Sequence, residues 1–160
     1  MKSIKLLTLS ILFLTNLNAQ TDVDILINSK ILNAERKIKI HLPKSFKTSK
    51  EKSYPLILVL DAENTFYLTT GNTELMSDPD PDFSTIPEAI VVGIYQDYFI
   101  NGEYVRGTDS MWDTSTGKSS KSSAKFYEFL KDELIPYLEK KYRIGKFKTL
   151  LGHSLTASFA

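Results

Sequence analysis

Apolar positions change their spacing several times along this chain, and each change predicts an element. In "ERKIKIHLP", Ile38, Ile40 and Leu42 alternate with Lys37, Lys39 and His41. A period of two predicts a half-buried strand with its basic residues on a solvated face, ended by Pro43. "DVDILIN" is its predicted hairpin partner, and "KSFKTSKEKSY" after it reads as a polar, basic loop. "YPLILVLDAEN" is instead apolar without interruption up to Asp61, and "EAIVVGIYQ" repeats that character over residues 89–95. Such runs fit strands covered on both faces, as in a parallel sheet. Between them, residues 64–76 predict a helix of weak periodicity, followed by the rigid acidic loop "SDPDPDFSTIP". Residues 102–123, rich in Gly, Ser, Thr and Lys, read as loop.

A strong helical pattern follows. Phe126, Phe129, Leu130, Leu134, Tyr137 and Leu138 recur at steps of three and four and build one apolar stripe. Pro136 lies inside it, removes a backbone donor and crowds the carbonyl of Asp132, so a kink is expected there. "FKTLLGHS" then predicts a third buried strand over residues 147–152. Strand, helix, strand, helix, strand is the order of an α/β sheet with right-handed crossovers, with the antiparallel pair at one edge. No internal repeat is evident.

The first residues stand apart from this domain. "MKSIKLLTLSILFLTNLNAQ" has Lys2 and Lys5, an apolar run from Leu6 to Leu17, and a small residue at Ala19. That is the pattern of a secretory signal peptide, too short in its apolar part for a membrane span of about 20 residues. Cleavage after Ala19 would leave 18 basic against 19 acidic residues, with no membrane attachment. This balance gives no footing for nucleic acid or an anionic membrane surface. The chain has no cysteine, which excludes disulfides, zinc–thiolate sites and a cysteine nucleophile. An exported chain of this kind suits a bacterial periplasm or exterior.

The candidate chemistry is a Gly-x-Ser at Gly152-His153-Ser154. The motif is common by chance, and Gly117-Lys118-Ser119 is a second copy. The second copy follows a polar loop rather than an apolar strand. It is no phosphate loop, because Trp112 stands where the first glycine belongs, so it reads as a solvated helix entrance. Ser154 follows directly on an apolar strand, where a nucleophile elbow sits. There Gly152 would permit the tight turn, and the Leu155 N–H would face an oxyanion. On local context alone, a helix N-cap serine without chemistry fits equally. Thr156 stands where the full elbow pattern has Gly. His153 is expected to pack beneath the turn, because adjacent strand residues point to opposite faces. "DPDPDF" spaces its carboxylates like a calcium loop, but Phe83 and Ala89 occupy the positions of the required glycine and bidentate acid, so no metal is expected.

Taken together, "ERKIKIHLP", "YPLILVLDAENTF", "IPEAIVVGIYQ" and "FYEFLKDELIPYLEKKYRIGKFKTLLGHSL" resemble one branch of the α/β-hydrolases in its own order. That branch holds the esterase-D-like, feruloyl-esterase-like and siderophore-esterase-like enzymes. The resemblance implies an α/β-hydrolase-type sheet, mostly parallel with an N-terminal antiparallel hairpin. It implies Ser154 as nucleophile, with oxyanion donors at the backbone N–H of Leu155 and of Ala62 or Glu63. It also implies acyl transfer to water with no cofactor, on a small-molecule or polysaccharide-linked ester. Arg106 and Asp109 fall in a loop where relatives carry an Arg and an acid near the site, although a solvated surface pair is the plainer account.

In this superfamily the acid and the histidine follow the serine in chain order. Only residues 155–160 follow Ser154 here. The sequence is therefore expected to be the N-terminal portion of a longer esterase, with negligible activity alone. A non-catalytic exported binding protein on a degenerate hydrolase scaffold is the competing class.

Overall fold

The computed structural model describes residues 22–78, 80, 82–113 and 115–160. The leader predicted at residues 1–19 lies outside them. A five-stranded sheet organises the chain. β1 (Asp22–Ser29) and β2 (Ala34–His41) form the antiparallel hairpin at one edge. β3 (Tyr54–Val59) runs parallel to β4 (Ile90–Ile94), and β4 pairs antiparallel with β2. β9 (Ile144–Leu151) lies parallel to β3 on its other side, which gives the order β1-β2-β4-β3-β9. The sheet is thus the expected mixed α/β arrangement.

Helices cover both faces. α1 (Ala62–Met76) crosses between β3 and β4, burying Ala62, Phe66, Thr70 and Thr73. Two threonines in that stripe explain the weak apolar periodicity of its sequence. Phe66 and Ala62 pack against Val59 and Val91. A Cβ on Gly93 would come within 2.6 Å of the Phe66 ring, so the glycine sets the close approach of helix to sheet.

The opposite face carries the larger core. α3 (Lys121–Glu128), a π-helical segment (Phe129–Leu134) and α4 (Ile135–Lys141) lay Phe126, Phe129, Leu130, Leu134 and Leu138 against Ile38, Ile40, Leu56, Leu58, Ile90 and Val92. The Pro136 effect takes the form of that wide turn. The Ile135 N–H reaches back five residues to the Leu130 carbonyl, and the proline sits in the first turn of α4, where its missing donor matters least.

Several elements differ from expectation. Lys39 and His41 do not lie on a solvated face: they are 8% and 7% exposed beneath α1. The Lys39 ammonium lies against Phe66 and Tyr67 and reaches Asp24 at 3.0 Å. His41 sits between Asp22, at 2.7 Å from Nδ1, and Glu74, at 3.2 Å from Nε2. Their long or amphipathic side chains fill the second face of β2 as apolar residues would. β9 is not a buried strand but, among the described residues, an edge with β3 as its partner, and Phe147 is 68% exposed.

Residues 102–123 are not plain loop. They hold β6 (Glu103–Tyr104), paired with β5 (Phe99–Ile100), then α2 (Val105–Ser110) and the ribbon of β7 (Trp112–Asp113) and β8 (Lys118–Ser119). The second Gly-x-Ser ends in β8, and the helix entrance lies one residue later. There the Ser120 hydroxyl caps α3 by accepting the Ser123 N–H. In the acidic loop the Asp78 and Asp80 carboxylates accept the N–H groups of Asp80 and Asp82, as turn-forming aspartates do.

The buried Tyr54 shares its hydroxyl with Ser45 Oγ at 2.8 Å, tying the basic loop to the sheet. Tyr54→Phe should lower stability by about 1 kcal/mol in urea denaturation, the net worth of one such bond.

Candidate active site

Two turns meet at the C-terminal ends of β3 and β9. The strands run parallel with Val59 opposite Leu151, and the ladder closes with the Leu60 N–H on the Leu151 carbonyl at 2.9 Å. Each chain then turns sharply. After β3, Asp61 takes a left-handed conformation, φ 54°, and α1 begins at Ala62. After β9, Gly152 and His153 lead to Ser154 at φ 55°, which opens a 3₁₀ turn over Ser154–Ser158. Non-glycine residues rarely adopt this conformation, and such strain gathers at functional corners.

Ser154 is exposed at its corner. The N-cap position belongs to His153, in extended backbone at φ −131°, so a plain N-cap role for the serine does not fit. Gly152 allows the turn by lacking a side chain: a Cβ there would lie 2.4 Å from the carbonyl oxygen of Thr156. Leu155 N–H lies in the first turn of the 3₁₀ segment, and the Ala62 and Glu63 N–H groups lie in the first turn of α1. These are the donors that a helix start leaves without intrahelical acceptors. The adjacent parallel strands place them side by side, since neighbouring strands run about 4.8 Å apart. The Glu63 side chain is occupied elsewhere, accepting the Gln96 and Asp97 N–H groups, each at 2.7 Å.

His153 is exposed rather than packed beneath the turn. It lines a small polar cavity of about 210 Å³ with Asn64, Asp97, Tyr104, Arg106 and Asp61. Arg106 donates from Nε and Nη2 to the Asp61 carboxylate, at 2.7 and 3.0 Å, and from Nη2 to the His153 carbonyl at 3.2 Å. The hydrogen bond with Asp61 raises the Arg106 pKa further and keeps it charged.

Arg106 and Asp109 do not form a solvated pair. They lie three residues apart on α2, and each has its own partner. Asp109 is 1% exposed and takes a two-pronged contact from Arg36, with Nη2 at 2.7 Å and Nη1 at 3.2 Å, plus the Gln96 amide at 2.9 Å. Burial pushes the Asp109 carboxyl up to about 6 against the pull of Arg36 and the bond from Gln96. Gln96 Oε1 accepts the Asp61 N–H at 3.2 Å, so this buried network underpins the corner. Asp109 supports the site from behind; Arg106 stands in its wall.

Sequence alone does not single out Asp61, Gln96 or Arg36 as site residues. Only Asp61 carries a signal, as a carboxylate closing an apolar run. Thr156, which departs from the elbow pattern, is fully buried, accepts the His153 N–H at 2.8 Å and lies 2.9 Å from Asp61 Oδ2. Its hydroxyl takes up the space and the bonds of the corner.

A family model described as "Putative esterase" matches residues 29–160. The chain belongs to this esterase family. No curated protein matches it. Among solved structures, it is similar to an IroE-like serine hydrolase from Shewanella oneidensis, at TM-score 0.69 and 23% identity over 87% of this chain and 44% of that one. The BES protein from Bacillus cereus matches at TM-score 0.69 and 25% identity, over 99% and 57%. A ferulic acid esterase matches at TM-score 0.61 and 27% identity, over 87% and 52%. The chain thus spans about half the length of these structures.

Proposed function

We propose that the protein is a serine carboxylic-ester hydrolase, exported after cleavage of residues 1–19, with Ser154 as its nucleophile. The observation that supports this reading most is Ser154 at a positive φ on the corner after β9, beside the first-turn amides of α1. In the reaction, Ser154 Oγ bonds to the acyl carbon and its proton passes to a general base. The carbonyl oxygen becomes an oxyanion held by the N–H of Leu155 and that of Ala62 or Glu63. Collapse expels the alcohol, which takes up the proton, and water then cleaves the acyl-enzyme. No cofactor takes part. Membership of the esterase family and the likeness to a ferulic acid esterase support an ester of a small molecule or of a polysaccharide-linked acyl group as substrate. Arg106, in the cavity wall, is the proposed substrate contact.

Among the described residues none is hydrogen-bonded to the Ser154 hydroxyl as a base. A serine without one is a weak nucleophile at neutral pH, so residues 20–160 alone should not turn over p-nitrophenyl acetate above the Ser154→Ala background. Protein made from the whole reading frame should be labelled by a fluorophosphonate at Ser154, and the alanine variant should stay unlabelled. A folded protein that resists the probe would replace this reading with the exported binding protein.

A further inference from the structure

We propose that Asp61 is a positioning residue, whose carboxylate fixes the separation between the two sets of main-chain amides assigned above to the oxyanion. The inference rests on that reading of Ser154. The main-chain ladder between β3 and β9 ends at the Leu60 N–H. Beyond it, the α1 entrance and the serine corner are joined through side chains. Asp61 supplies the junction. Its side chain is 6% exposed and accepts from Arg106 Nε, Arg106 Nη2 and Thr156 Oγ1.

Each of these bonds reaches the serine corner by its own route. Thr156 Oγ1 accepts the His153 N–H, one residue before the serine, and turns its single hydroxyl proton to Asp61 Oδ2 at 2.9 Å, the charged acceptor, with the His153 carbonyl at 3.0 Å as the alternative. Arg106 holds the same carboxylate and also the His153 carbonyl, which closes the bridge from the solvent side. Asp61 is itself held in the left-handed region at φ 54°, with its N–H on the buried Gln96. The residue immediately before the α1 amides is therefore tied to the residues on both sides of Ser154. Thr156 serves as a strut, and a glycine there would leave Asp61 without that bond. Oxyanion donors work only when preset to the position that the charge will occupy, and a displacement of about 1 Å can cost roughly 10²-fold in rate.

The test uses protein from the whole reading frame and the variants Asp61→Asn, Thr156→Val and Thr156→Ser. Asp61→Asn and Thr156→Val should lower kcat by about 10- to 100-fold with KM within about twofold of wild type. Thr156→Ser, which keeps the hydroxyl, should retain kcat within about threefold. A role in stability alone would not split kcat from KM in this way. If both Asp61→Asn and Thr156→Val turn over at the wild-type rate while Ser154→Ala abolishes turnover, the positioning role is overturned and the hydrolase reading stands. If wild type shows no serine-dependent turnover, the hydrolase reading fails, and amide hydrogen exchange decides the bridge. Faster exchange at Ala62, Glu63 and Leu155 in both variants supports it; unchanged exchange overturns it.

Discussion

Gly152→Ala should lower stability by about 3 kcal/mol and slow fluorophosphonate labelling of Ser154 by more than about tenfold, because an added methyl at this corner meets main chain. Its Cβ would stand 2.4 Å from the Thr156 carbonyl oxygen, 2.6 Å from its carbon and 2.7 Å from the Ala157 nitrogen. No flexible side chain is there to yield, so the 3₁₀ turn itself has to move. Gly117 in the other Gly-x-Ser makes the control. It sits at φ 65° with nothing within 4 Å of the place a methyl would take, so Gly117→Ala costs only conformational strain, about 1 kcal/mol. Urea denaturation of the two variants and a labelling time course would check the contrast. Equal losses at the two glycines would show that the corner is looser than its geometry states.

Arg36→Ala should destabilise by about 3–5 kcal/mol at pH 8 and by clearly less at pH 4.5. The variant leaves Asp109 buried without its two-pronged partner. At pH 8 that carboxyl is ionised in the folded wild type and in the unfolded chain, so the folded variant must either hold an unpaired buried charge or take up a proton, at a cost in both cases. At pH 4.5 the folded carboxyl carries a proton, because it stands at about 6 even with Arg36 in place and is pushed higher by burial once Arg36 is gone, so the variant tolerates the loss. The sign in the wild type follows from the same shift. Between its ordinary 3.8 and about 6, the folded state binds a proton that the unfolded state has released, so Asp109 makes stability fall as pH rises through that window and adds no slope above it. Denaturation curves at the two pH values would show the difference. A pH-independent loss in Arg36→Ala would place the cost in packing against Phe126, whose ring centroid lies 5.8 Å from the guanidinium.

The core strands β3 and β4 and the large helical stripe were legible because their burial follows simple periods. β3 and β4 are apolar in nearly every position, and Phe126, Phe129, Leu134 and Leu138 all reach the core. What escaped was burial achieved by polar residues. His41 and Lys39 read as solvated because their charge outweighs their carbon in any hydropathy pattern. α1 shows Leu68 and Leu75 to solvent and hides Thr70 and Thr73, which inverts the usual signal. α2 is six residues long and holds Gly107 and Thr108, so no period could mark it. At the site, strand, glycine and serine in series marked the Ser154 corner, whereas the turn after β3 was expected only from the family resemblance. The Asp61–Arg106–Thr156 bridge was not legible, since its members lie 45 and 95 residues apart and only the register of β3 with β9 brings them together.

The π-helical segment has a consequence for chain length. Phe129–Leu134 carries more residues per turn than the helices on either side, so Phe126 and Leu138 share one core only because this stretch is overlong. Wound as a regular α-helix without this wide turn, the same residues would carry Leu138 about 120° out of phase with Phe126, at about 100° per residue. Leu138 would swing off the sheet, and Tyr137 and Lys140 would face it. The segment therefore works as a phase correction between two half-helices, and the spacing of the chain up to the serine depends on it.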